Sequence, residues 1–144
     1  MSNFFSQYSP DQVMFSFKGI NVTGYAKGTF IDCEREEDSF KKQVGSLGDV
    51  TRTQSLNRSG KITLTLMTAA PSNDALMAVH AQDQQFRTGV GPLSIKDLSG
   101  NTRCRATEAW IMKSPKVERA EESGTTVWVF ECADLSIIAG GAVT

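Results

Sequence analysis

The sequence predicts a mainly β domain: an antiparallel β-sandwich or partly open barrel with one flanking α-helix. Three observations lead there. Apolar and polar residues alternate over short runs, most cleanly in Lys61–Met67 (KITLTLM), which is the period of a half-buried strand. Breaks of hairpin length, rich in glycine, separate these runs, and short connections join antiparallel neighbours. The period turns helical only once, after Ala70. At 144 residues the chain fits one domain, spanning 1–144, with an arm at about 37–49 and loose termini. No internal repeat or linker interrupts it.

In chain order, Gln12–Lys18 (QVMFSFK) is the first strand, with Val13, Phe15 and Phe17 on one face and Met14 and Ser16 on the other. Gly19 breaks it, Ile20–Thr23 is a short second run, and Gly24 and Gly28 mark turns. Gly28–Glu36 is a strand whose two faces both mix apolar and polar residues, as expected where one end leaves the core. After the polar arm, Asp49–Leu56 returns as strand and Asn57-Arg58-Ser59-Gly60 turns into Lys61–Met67. There Ile62, Leu64 and Leu66 face inward while Lys61, Thr63 and Thr65 face out. Ser72 or Asn73 caps a helix over Asn73–Phe86, with Leu76, Val79 and His80 as its apolar stripe. Arg87–Pro92 is a loop, Leu93–Leu98 and Thr102–Lys113 are strands, and Lys116–Ser123 is a charged connection. Thr125–Ile138 reads as one long final strand, with Trp128 and Phe130 opposite Val127 and Val129.

The totals exclude several classes. Net charge is −1, so no basic surface announces tight nucleic-acid binding. No run of about 18 apolar residues supplies a membrane span. The opening MSNFFSQYSPDQ lacks the basic region and apolar core of a secretory signal, so folding in a cytosol is expected. The sequons at Asn21 and Asn57 are then chance matches. Cys33, Cys104 and Cys132 stand far apart in sequence without a CxxC pair, and the lone His80 completes no zinc set; reduced, structural cysteines and no metal are expected.

Catalysis finds little to work with. His80 falls on or beside the helix's apolar stripe, where a packed imidazole is the simpler reading than a base. Asp32, Glu34 and Glu36 share a strand face, yet the run Glu-Arg-Glu-Glu-Asp at 34–38 reads as a solvated cluster at a strand end. No phosphate-cradling glycine loop opens the helix, and Gly89-Val90-Gly91 follows it instead. Neither an enzyme nor a cofactor is expected.

What remains is surface. Gly28–Met67 places a long charged segment between two good strands, with Gly45-Ser46-Leu47-Gly48 as a hairpin tip. Phe40, Val44 and Leu47 are apolar residues in that polar arm. They either fold back onto their own domain or dock on a neighbouring copy, with Lys41, Lys42, Asp49 and Arg52 fixing register by charge.

The ordered set YSPDQVMFSFKGINVTGYAKGTFIDCEREEDSF, GDVTR, NRSGKITLTLM, APSNDAL, GVGPLSIKDLSGNT and EAWI resembles the tail tube proteins of contractile-tailed bacteriophages and prophages, over about Tyr8–Gly140. The resemblance implies a tail-tube fold, hexameric rings whose strands join into one barrel, and stacking through a long loop, here Glu37–Asp49. It also implies a surrounding sheath, baseplate and tail terminator partners, transient passage of DNA down the lumen, and a place in the virion tail after assembly in the host cytoplasm. A conduit avoids binding its cargo, since arginine rings would hold DNA through counterion release. Asp32, Glu34, Thr51, Thr63 and Thr65 are therefore the lumen candidates, and Lys61, Arg103 and Arg105 are expected at interfaces.

Two rival readings stand beside this one. A DNA-free, tailocin-like injection particle shares the architecture. A monomeric small-ligand-binding β-barrel instead needs a concave apolar pocket and an ordered 37–49 segment, whereas the tube reading expects that segment to be mobile in an isolated subunit.

Overall fold

The structure is a computed structural model; it describes residues 9–122 and 124–140. The expected loose termini, on residues 1–8 and 141–144, and Ser123 of the charged connection lie outside the described residues.

Two sheets form. The larger, eight-stranded sheet contains β1 (Val13–Phe17), β2 (Ile20–Asn21), β3 (Ile31–Arg35), β6 (Gly60–Met67), β7 (Gly91–Asp97), β8 (Arg103–Ile111), β9 (Thr125–Cys132) and β10 (Leu135–Ile138). Its order is β2-β1-β7-β8-β9-β6-β3, with β10 on β8, and all pairs are antiparallel. The smaller sheet is a hairpin of β4 (Phe40–Val44) and β5 (Val50–Gln54). The predicted β-rich, one-helix architecture is what the chain adopts, and the sheet curls without closing into a barrel.

Alternation builds the core. Ile62, Leu64 and Leu66 of β6 are fully buried, as are Trp128 and Phe130 of β9 and Phe15 and Phe17 of β1. The rings of Phe15 and Phe17 meet that of Phe130 at centroid distances of 5.4 and 5.1 Å, so β1 and β9 confront one another across the core. Edge contacts of this kind add to the burial term. Gly60 opens β6 because a Cβ there would strike the Leu135 side chain and the Glu34 carbonyl.

Helix α1 (Ser72–Phe86) buries Leu76 and His80, as its stripe predicted. Its cap differs from expectation. Pro71 is the N-cap residue, and neither Ser72 nor Asn73 caps the helix. Tertiary demands take both side chains: Ser72 Oγ accepts the Thr23 N–H at 2.9 Å, and Asn73 Oδ1 accepts the Trp128 Nε1–H at 2.9 Å. Asn73 also donates to the Met67 and Thr68 carbonyls. One amide thus ties helix, β6 and β9 together.

The final strand is a second correction. It breaks at Ala133–Asp134 into β9 and β10. The β8 register nevertheless continues across the break, from Ala109↔Cys132 to Ala106↔Leu135. β6 begins at Gly60, opposite Cys132, so beyond Cys132 the final strand has lost one partner and bends with β8. Between the free edge of β3 and the inner sides of β7, β8 and β10 lies a cleft of about 500 Å³, lined mainly by apolar residues including Val13, Phe30, Ile31, Ile95 and Ile137. It marks the seam where the barrel stays open.

Candidate functional site

The arm stands off the body. β4 and β5 pair only with each other, and every residue of both strands is exposed. A lone two-stranded hairpin is marginal in water, and three features hold this one. Gly48 takes φ +92° in the turn, the Arg52 guanidinium lies 3.6 Å from the Phe40 ring centroid, and the stalk is tied by Ser55 donating to Glu37 and Ser59 donating to Glu36. Hydrogen bonds from Asn57 and Ser55 hold the Glu37 carboxyl below its usual range. In the single chain the arm is thus a paired hairpin.

Register sorts its side chains. Phe40↔Gln54, Lys42↔Arg52 and Val44↔Val50 share one face; Lys41↔Thr53 and Gln43↔Thr51 share the other. Phe40, Val44, Leu47 and Val50 are 46%, 58%, 91% and 63% exposed. Lys42 faces Arg52 directly, a like-charge pairing that destabilises an isolated hairpin. The structure thus groups Phe40, Lys42, Val44 and Arg52, puts Leu47 in the tip and Asp49 beside it, and turns Lys41 away. Val50 belongs with the group and was missed. Its alternation with Arg52 and its place opposite Val44 about the Gly45–Gly48 turn were the available signal.

The lumen candidates fall on one face, except one. Asp32↔Thr63↔Val129 and Glu34↔Lys61↔Glu131 are lateral rows across β3, β6 and β9, and Thr65↔Val127 is the next. All point away from the core. Lys61 is flanked by Glu34 and Glu131, which accounts for a cation on that face. Thr51 is separate, on the hairpin.

Arg103 and Arg105 lie on the other side. They stand on the outer face of β8 beside β7 and β1, which confront β9 across the core. The outer surface is therefore carboxylate- and threonine-bearing over β3-β6-β9 and cationic over β1-β7-β8.

No catalytic constellation appears among the described residues. The carboxylates of Asp32 and Glu34 are exposed, and His80 is buried with neither ring nitrogen hydrogen-bonded. The three cysteines are free, and two of them are neighbours: Cys33 and Cys104 interact, which raises the Cys33 thiol and lowers Cys104, while burial pushes Cys132 up to about 11. No group of three metal-ligating side chains forms among the described residues, and no helix there is long and apolar enough to cross a membrane.

The family described as Bacteriophage PhiTE tail tube protein matches residues 12–140. The chain belongs to this phage tail tube family. "Structural protein ORF10" of Pseudomonas phage KPP10 is 28% identical over 144 residues, covering 94% of this chain and 83% of that protein. The fold also matches solved structures. The anti-feeding prophage cap, which terminates the AFP tube, superposes with a TM-score of 0.66 at 11% identity, over 96% of this chain and 95% of that one. A chain of the PVC sheath–tube complex, from an extracellular contractile injection system, gives 0.62 at 13% identity, over 95% and 93%. The tail tube family member is thus a tube-like structural protein of phage and not an enzyme.

Proposed function

We propose that six copies form a ring whose sheets join into one barrel, that rings stack through the β4–β5 hairpin, and that the hollow tube conducts DNA. The observation that carries this is the hairpin: an apolar and cationic face held clear of its own domain, in a chain of the tail tube family. The open sheet supports ring closure. β3 pairs on one side only, and an unpaired edge invites a neighbouring strand. Hairpin and body are unlike surfaces, so the contact between layers is heterologous, the kind that propagates as a filament.

The β3-β6-β9 face suits the lumen, through Asp32, Glu34, Thr63 and Thr65, because carboxylates and hydroxyls do not retain a polyanion. Thr51, on the hairpin, goes with the joint. With the end of β8 that pairs β9 (Ala109–Ile111) as a fourth strand beside β9, β6 and β3, six copies make about 24; at roughly 4.8 Å spacing and about 40° tilt the backbone bore is roughly 48 Å, wide enough for a duplex after side chains narrow it. The sheath–tube and cap assemblies whose chains share this fold support a sheath outside and a terminator at the end; in this reading a baseplate nucleates the first ring and the tube stands in the virion tail. A DNA-free particle uses the same subunit architecture.

The test is a Phe40→Ser, Val44→Ser, Leu47→Ser triple variant. It is expected to unfold thermally within about 2 °C of wild type, since exposed surface positions contribute little to stability, and to form no stacked tubes under electron microscopy. Full-length tubes from this variant would remove the hairpin from the joint.

A further inference from the structure

The outer face of β1-β7-β8-β10 carries two registered rows. One runs Met14–Lys96–Arg103–Ile138 and the next Ser16–Ser94–Arg105–Ser136. Over them lies a hollow of about 340 Å³, lined by Ser16, Ser94, Lys96, Arg103, Arg105 and Thr107 among others. Lys96 and Arg103 are direct cross-strand partners, an arrangement that costs stability unless an anion lies between or above them. Among the described residues the ion pair within 4.0 Å is Lys116–Glu118, so none of the three cations has one. Met14 and Ile138, 47% and 56% exposed, flank the two cations at either end of their row.

We infer that this hollow docks a carboxylate-bearing segment of the protein that encloses the tube. The inference rests on the tube reading, in which the opposite, β3-β6-β9 face is the lumen. Charge complementarity requires an anionic occupant. Two forked guanidiniums and an ammonium beside serine and threonine hydroxyls bind paired carboxylates with defined geometry. The apolar flanks decide between anions. A central polar cluster bordered by half-exposed methionine and isoleucine matches a protein surface, where apolar groups are covered as well. A nucleic-acid backbone offers phosphates and nothing to cover Met14 or Ile138. The cations also sit within one small hollow, whereas a duplex presents phosphates along a track.

Two measurements decide it. Co-expressed with the sheath protein, Arg103→Gln/Arg105→Gln is expected to give tubes of wild-type length that carry sheath about tenfold less often under electron microscopy. Sheathing equal to wild type overturns the inference. So does a variant with wild-type thermal unfolding that forms no tubes, which assigns the face to a joint between copies. In solution, the wild-type subunit should bind a poly-glutamate peptide about tenfold more tightly than the variant, with affinity falling as salt rises. Equal affinities, or tighter binding of a short DNA duplex than of poly-glutamate, overturn it. Absence of wild-type tubes counts against the tube reading alone, since the peptide titration still decides what the hollow binds.

Discussion

Cys132 ends β9 fully buried, and its thiol is raised by burial first and by Cys104, Glu131 and Glu36 after that. The sign of the pH effect follows. From about 9, where the thiol ionises in the unfolded chain, to about 11, where it ionises in the fold, the unfolded state binds fewer protons, so stability falls with rising pH. The loss attributable to this residue by pH 10.5 is about 2 kcal/mol. Urea unfolding at pH 8 and pH 10.5 should show Cys132→Ala losing less than wild type between the two conditions. Identical losses would place the alkaline sensitivity elsewhere, for example on Tyr25, whose burial also raises it. At this scale the sequence revealed three separate cysteines but not that Cys33 and Cys104 are neighbours, which they are only because β3 and β8 curl around one core.

Among the elements, α1 was read correctly from its period and wrongly from its cap. Ser72 and Asn73 are good cap residues, but in the fold the Thr23 amide and the Trp128 indole claim them. His80 shows the reverse. Its place on the apolar stripe was legible, while its lack of hydrogen-bond partners among the described residues was not. Replacing a buried, unpaired polar ring by an apolar one of similar size removes a desolvation cost. His80→Leu is therefore expected to match or exceed wild-type stability, by up to about 2 kcal/mol, in chemical unfolding. A loss of more than about 1 kcal/mol would mean that the imidazole is hydrogen-bonded after all. The final strand's alternation breaks at Ala133–Asp134. Trp128, Phe130 and Cys132 set an inward phase on which the polar Asp134 would fall, and burial resumes out of phase at Leu135. The bend thus had a local signal that the single-strand reading passed over; the loss of β6 as a partner accompanies it.

For the whole molecule, stability is distributed unevenly. β6 lies between β3 and β9, with alternate residues in the core, whereas the hairpin has no partner beyond itself. Amide hydrogen exchange on the isolated subunit should show Phe40–Val44 and Val50–Gln54 exchanging orders of magnitude faster than Ile62–Leu66. In assembled tubes the hairpin amides should slow by roughly a hundredfold while β6 changes little. Hairpin amides as fast in tubes as in subunits would mean that the arm does not order on assembly.

The sequence by itself determined the strand class, the one helix, the inward face of β6, which residues share a face in β1 and β9, and the apolar residues of the arm. Each is written in local periodicity, which two or four neighbouring residues suffice to express. The tertiary structure alone decided that Arg103 and Arg105 stand across the core from Asp32 and Thr63, that Thr51 sits on the hairpin apart from Asp32, Glu34, Thr63 and Thr65, and that Val50 joins Val44. Those facts depend on which strand lies beside which. Strand order arises from burial of one shared core, a property of contacts distant along the chain, so no window of sequence contains it.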